Sequence, residues 1–195
     1  MARLASTNAA RRLRSLSVAG WLRLAVLGCA ALAVALALLA HALTPAPDQS
    51  RALIGHSAPA FTLAAAQSGQ TLAQPVSFAA HSAHPTLLVF FNTLCVHCIA
   101  GVQAARAATQ TAGQPAANVI YLDSPGENAE ITGQYMTRLQ ANPPVLLDKG
   151  AAVARRYGVA YYPTIILVDA QGIVRAVWVG APTASELGAA IARSQ

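Results

Sequence analysis

Apolar residues along this chain fall into three kinds of run. The first is long and unbroken: "LAVLGCAALAVALALLAHAL", residues 24–43, holds no Asp, Glu, Lys or Arg. At about 1.5 Å per residue it reaches roughly 30 Å, the thickness of a bilayer core. The second kind is short and does not alternate. "PTLLVFFN" (85–92) and "ANVIYLDS" (117–124) have strand length and predict strands buried on both faces, with "PVLLD" a shorter one. The third kind recurs at helical spacing. Cys98, Val102 and Ala105 share a face of a helix that starts at the cysteines and ends at "AGQP". "NAEITGQYMTRLQA" places Ile131, Tyr135 and Leu139 four apart and stops before Pro143-Pro144, where helices end. "GAAVARRYGV" reads as a short helix. "TASELGAAIARS" is a last one, with Thr183 as N-cap and Glu186 three residues on, the capping-box spacing.

The segments between are strand-like. "APAFTLAAAQSGQTLAQPVSF" reads as short strands around the turn "QSGQ", and "YYPTIILVDAQGIVRAVWVG" as two strands joined by "DAQG". "TPAPDQS" (44–50) is a natural boundary, which places a linker at 44–53 and one domain over 54–195. Strands alternating with helices predict an α/β fold with parallel pairing, and the final hairpin adds an antiparallel edge.

Charge changes the picture only at the N-terminus. The chain carries 13 Lys and Arg against seven Asp and Glu, a net charge of +6. Five of the arginines (3, 11, 12, 14 and 23) precede the apolar run, so the rest is close to neutral. A nucleic-acid-binding domain would carry its charge on the folded part, so no nucleic-acid partner is expected. The arginine excess predicts a cytoplasmic N-terminus (1–23), a single span (24–43) and an exported C-terminal part. Ala40-His41-Ala42 also fits a cleavable signal, and both readings place residues 45–195 outside the cytoplasmic membrane. Cys29 lies within the run and reads as a small apolar residue of a membrane helix.

Two cysteines remain for an oxidising compartment, in "VFFNTLCVHCIAGV". Cys95 and Cys98 stand where a buried strand gives way to a helix. A helix N-terminus offers unpaired N–H groups and about half a positive charge, which favours a thiolate at Cys95. That thiolate attacks a disulfide, and Cys98, one turn along, resolves the mixed disulfide. A staple is the plainer alternative, although so short a loop gains little from closure. A zinc site needs about four ligands, and no second C-x-x-C exists. A copper carrier using the two thiols stays open. His97 is either solvent-facing or a stabiliser of the Cys95 thiolate. His56, His81 and His84 lie in loops and read as solvated; Trp178 reads as core, as could Tyr161 and Tyr162.

Residues 54–193 resemble the membrane-anchored thioredoxin-like proteins of the TlpA/ResA type. "IGHSAPAFTL", "LLVFFNTLCVHC" and "VLLDKGAAVARRYGVAYYPTIILVDAQGIVR" carry the resemblance. It implies a thioredoxin-like fold with an N-terminal strand extension, preceded by one transmembrane helix. It implies a thiol–disulfide oxidoreductase of the bacterial inner membrane with its domain in the periplasm. No cofactor is implied; the partners are substrate proteins and a membrane reductant or oxidant. By resemblance Pro163 is a cis-proline facing the pair, with Tyr162 and Thr164 as substrate contacts, and His97 resembles the histidine between the cysteines of DsbA-type oxidants. Three departures stand out. Leu94 replaces the usual Trp, Thr164 stands where cytochrome-maturation relatives carry Glu, and the positions of the family's buried acid hold Val89 and Gly101. The rival functions are a metal carrier or assembly factor, a cytochrome c maturation thioredoxin, and a peroxidase, whose P-x-x-x-T-x-x-C motif is missing.

Overall fold

The computed structural model describes residues 18–43, 47–79, 81–110, 117–126, 128–141 and 144–195. They fall into two units, divided between Ala46 and Pro47. The first contains α1 (Val18–Leu43), long and apolar enough over Val18–His41 to cross a membrane. The helix begins six residues ahead of the uncharged run and takes in Arg23, because "VAGWLR" contains nothing that stops a helix. The other four N-terminal arginines lie outside the described residues.

The second unit is built on β5 (Thr86–Phe91), in which all six residues are buried. It pairs in parallel with β6 (Asn118–Asp123) and antiparallel with β8 (Thr164–Val168). β6 pairs in parallel with β7 (Val145–Leu147), and β8 antiparallel with β9 (Val174–Val179). The N-terminal extension adds β2 (Ala65–Gln67) antiparallel to β7 and β3 (Gln70–Thr71) at the edge, giving the order β3-β2-β7-β6-β5-β8-β9. β1 (Phe61–Leu63) and β4 (Val76–Phe78) form a separate two-stranded sheet. This is the thioredoxin-like fold with an N-terminal strand extension.

Each sheet face carries its own core, which is why the strands read as unbroken apolar runs. Leu87, Val89 and Phe91 face α2 (Cys98–Thr109) and α5 (Ala184–Ala192). Leu88 and Phe90 face α4 (Ala152–Arg156), with Tyr157 and Phe61. Burying one such side chain is worth about 1.5–3 kcal/mol. Thr183 and Glu186 form the expected capping box on α5. The "AGQP" stop after α2 lies outside the described residues; the helix ends at Thr109.

Two expectations need correction. Residues 48–53 are no free linker. Asp48 accepts from the Ala160 N–H at 3.0 Å, Gln49 N–H donates to Gly158 C=O at 2.8 Å, and Ser50 is buried at the head of a 3-10 turn (Ser50–Leu53). Gly158, at φ +66°, lets the chain pass, since a Cβ there would meet the Gln49 carbonyl carbon at 2.7 Å. In α3 (Ala129–Arg138) the inward residues are Thr132, Gly133 and Met136. Thr132 bonds to Asp123 and Gly133 lies under the Ser68-Gly69 turn, which rotates Ile131 outward to 53% exposure.

Candidate active site

The end of β5 sets the geometry of the cysteines. Asn92 folds the chain into a turn: its Oδ1 accepts from the Leu94 N–H at 2.8 Å and its C=O from the Cys95 N–H at 3.0 Å. The Cys95 C=O accepts from the Cys98 N–H at 3.1 Å, which starts α2. Cys95 and Cys98 form a disulfide with their Cα atoms 5.3 Å apart. Cys95 is partly exposed and Cys98 fully buried, because Cys98 is the first inward residue of the helix and packs with Val102 and Ala105. His97 is the helix N-cap residue; its side chain is exposed and makes no capping hydrogen bond.

Opposite stands the segment before β8. The Tyr162–Pro163 bond is cis, and the Tyr162 C=O lies 3.5 Å from Cys95 Sγ. Pro163 rests on Gly101: a Cβ at that glycine would lie 3.0 Å from both Cβ and Cγ of the proline. The departure at position 101 therefore has a steric cause, since the proline ring occupies the space that an acidic side chain would need. The three residues around the bend divide differently from expectation. Tyr161, one of two tyrosines that could have packed as core, is 53% exposed, and Tyr162 is half-buried. Thr164 is fully buried and its hydroxyl donates to the Tyr161 C=O at 2.8 Å, so its side chain is turned away from any substrate. Trp178 is partly buried against the α2–α5 core. His56, His81 and His84 are exposed.

A buried acid does lie beside the turn that leads into the pair, on β6 and at neither of the two positions where the family's acid was looked for. Asp123 ends β6 opposite Phe91 and is 3% exposed. The Thr132 hydroxyl donates to its Oδ2, while Oδ1 is buried without a hydrogen-bond partner among the described residues. Burial pushes the Asp123 carboxyl up, against the lowering effect of the Thr132 hydroxyl and the Thr93 N–H. It lines a cleft of about 310 Å³ together with Asn92, Leu94, Pro125 and Ile131. Leu94 leaves the cleft open, with its own side chain 89% exposed. An acid at the C-terminal end of a buried strand, in "YLDS", was the available signal, because sites of open α/β sheets gather at that edge. Among the described residues, no three or more His, Cys, Asp or Glu gather into a metal-binding group.

A disulfide at the start of a helix, with its outer sulfur under a cis-proline loop, is the arrangement of a thioredoxin-like protein. Residues 54–177 match the model of the AhpC/TSA family, and the chain belongs to that family. Solved structures share the fold. A protein from Chlorobium tepidum assigned as thiol:disulfide interchange protein DsbE superposes with a TM-score of 0.60 at 20% identity, over 72% of this chain and 96% of its own. The exposed lipoprotein thioredoxin Etrx1 of Streptococcus pneumoniae gives 0.55 at 21% identity, over 69% and 99%. StoA of Bacillus subtilis gives 0.51 at 17%, over 68% and 96%. In sequence, the mercury resistance operon ORF3 product of Streptomyces lividans is 36% identical over 95 residues, 46% of this chain; the chain spans 50% of that relative's length.

Proposed function

We propose that this protein is a membrane-tethered thiol–disulfide oxidoreductase that exchanges the Cys95–Cys98 dithiol or disulfide with exported substrate proteins on the periplasmic side of the inner membrane. The observation that carries the reading is the unequal exposure of the two cysteines beneath Tyr162–Pro163. Cys95 is the nucleophile, because only it meets solvent. Its thiolate attacks one sulfur of a substrate disulfide, and the other substrate sulfur leaves as a thiolate. The Cys98 thiolate then attacks Cys95 Sγ, which frees the second substrate thiolate and closes the Cys95–Cys98 bond. Two electrons pass to the substrate, and the reverse sequence oxidises a dithiol. A membrane-bound dithiol or disulfide partner resets the pair. Tyr162 and Pro163 line the approach to Cys95, and the exposed Tyr161 replaces Thr164 as the side chain available to a substrate. His97, in the turn between the cysteines, favours the thiolate.

The test is insulin reduction by the full-length chain in detergent, beside Cys95→Ser and Cys98→Ser. Cys98→Ser should trap mixed disulfides through Cys95, and Cys95→Ser almost none. Trapping by Cys95→Ser alone would reverse the assignment. The orientation is tested with a reporter active only in the periplasm, fused after Gln195. Activity supports the topology, and silence of that fusion beside an active cytoplasmic reporter excludes it.

The relative from a mercury resistance operon favours a second reading, in which the reduced pair holds a soft, thiophilic ion between two thiolates. Stoichiometric binding of mercuric ion by the reduced protein, lost in Cys95→Ser and accompanied by no insulin reduction, would select it.

A further inference from the structure

The cleft beside the cysteine turn has a wall that runs straight into Cys95. Leu94 belongs to that wall, one residue ahead of the cysteine and about 3.8 Å from it between Cα atoms. Pro125 and Ile131 supply further apolar walls. Outside α1 the described residues expose seven large apolar side chains. Five of them, Leu94, Val96, Ile99, Ile131 and Tyr161, lie on the cysteine turn, the start of α2, the cleft and the cis-proline segment. Apolar exposure gathered at one site in this way marks a surface that a partner covers.

Three polar side chains of the cleft are already committed inside the protein. Asn92 Oδ1 accepts from the Leu94 N–H, and its Nδ2 donates to the Ser124 C=O at 3.3 Å. Asn128 Oδ1 accepts from the N–H groups of Glu130 and Ile131 at 2.9 and 3.1 Å. The Thr132 hydroxyl donates to Asp123 Oδ2. Asp123 Oδ1 is not committed. It and the Tyr135 phenol are the two buried side-chain polar atoms without a hydrogen-bond partner among the described residues, and of these two residues it is Asp123 that lines the cleft. A buried oxygen left unmatched is costly, and a ligand that reaches it recovers the loss.

The occupant must therefore lie within reach of Cys95, be apolar along its flanks and end in one hydrogen-bonding group. A substrate cysteine bonded to Cys95 brings its own chain neighbours to the mouth of the cleft, whose 310 Å³ suit one large side chain. Tyrosine meets these conditions, with an apolar ring and a polar tip. Its hydroxyl both donates and accepts, so it suits a carboxyl in either protonation state, whereas an indole or an ammonium only donates. We propose that the cleft is a subsite for a tyrosine side chain beside the reacting cysteine of the substrate protein, with the ring against Leu94, Pro125 and Ile131 and the hydroxyl on Asp123 Oδ1. The assignment rests on the oxidoreductase reading and adds to it a preference for one kind of substrate sequence.

The experiment follows disulfide exchange between the reduced full-length Cys29→Ser chain in detergent and disulfide dimers of short peptides, each with Tyr, Phe or Gly on both sides of a single cysteine. The Cys95 thiolate attacks the peptide disulfide and one peptide thiolate leaves; Cys98 then attacks Cys95 Sγ and frees the second, so the pair is oxidised and the dimer reduced to two thiols. Each initial rate is divided by that of the same dimer with dithiothreitol, which corrects for the reactivity of the peptide itself. The Tyr dimer should react about tenfold faster than the Gly dimer through burial of the ring, and about threefold faster than the Phe dimer through its hydroxyl. Asp123→Leu should erase the advantage of Tyr over Phe and keep that of Phe over Gly. Ile131→Lys, at an exposed position, should bring all three dimers together, and it decides alone should Asp123→Leu not fold. Equal corrected rates for the Tyr and Phe dimers, or ratios that neither variant moves, would overturn the inference and leave the oxidoreductase reading intact. Exchange with none of the three dimers would overturn both.

Discussion

Replacing Gly101 by Ala adds one carbon at the point where α2 carries the cis-proline loop. An alanine Cβ would sit 3.0 Å from two carbons of Pro163 and 3.9 Å from the Ala181 Cβ. Carbon atoms rest about 3.5–4.0 Å apart, so the loop or the helix must yield by about half an ångström. Overpacking of this kind costs about 1–3 kcal/mol. Against it, Ala is better than Gly inside a helix by about 0.5–1 kcal/mol. The balance runs from near zero to a net loss of about 2.5 kcal/mol. The loop that yields carries the Tyr162 C=O, 3.5 Å from Cys95 Sγ, so the cysteine chemistry should change together with stability. Urea unfolding of the oxidised full-length chain in detergent measures the first, and the rate of disulfide exchange with glutathione the second. A Gly101→Ala variant as stable as the wild type, with an unchanged exchange rate, would show that Pro163 does not bear on α2 and would remove the steric account of the missing acid.

Asp123→Asn should gain stability relative to wild type as pH rises. The raised carboxyl keeps its proton in the folded chain above the ordinary 3.8, so its contribution is fully present below that pH and is lost as pH climbs through the folded value. A difference in melting temperature that is the same at pH 4 and pH 7 would refute this. Asp169→Ala should cost about 1–3 kcal/mol near neutrality, because it strips the partner from the Ile173 N–H and from the Arg175 guanidinium. Burial opposes ionisation of Asp169, but these groups outweigh it and hold its carboxyl below 3.8. The cost should therefore shrink as pH falls through the folded value, and a constant penalty down to pH 2 would count against it. Thr183→Ala should cost about 1 kcal/mol through loss of the α5 cap, read from urea unfolding, and no change would deny the cap its weight. His97→Ala should raise the midpoint of Cys95 alkylation, and an unchanged midpoint would leave His97 as a surface residue.

What the sequence made legible was what periodicity and spacing encode. The unbroken run at 86–91 could only be a strand covered on both faces, and the cysteines that follow it fixed the start of α2. The cis bond before Pro163 came from the resemblance, and the structure has it. What stayed hidden depends on which way a side chain turns. Thr164 and Ile131 exchange the roles expected of a polar and an apolar residue, because Thr164 finds a carbonyl partner indoors and Thr132 and Gly133 take the inner face of α3. No motif spacing marks Asp123, because strand pairing, not chain distance, brings it beside the turn; its place at the end of a buried strand was its one signal. Asp48 read as linker because its partner, Ala160, lies 112 residues away.

The pairing of β5 with β8 has a consequence for how the site comes into being. Phe90 lies directly opposite Thr164, so the strand that leads into the cysteines is bonded to the strand that leads out of the cis-proline. Synthesis delivers Cys95 and Cys98 long before Pro163. Until β8 arrives, the growing chain has both thiols but no carbonyl above Cys95, no proline on Gly101 and no cover for one side of β5. During that interval the pair is an ordinary dithiol on an unfinished sheet, open to whatever oxidant it meets. The site is thus a late product of folding, assembled by a long-range contact of the kind that forms slowly, and a chain cut before Thr164 would keep the motif and its helix and lack the strand that holds the cis-proline segment over Cys95.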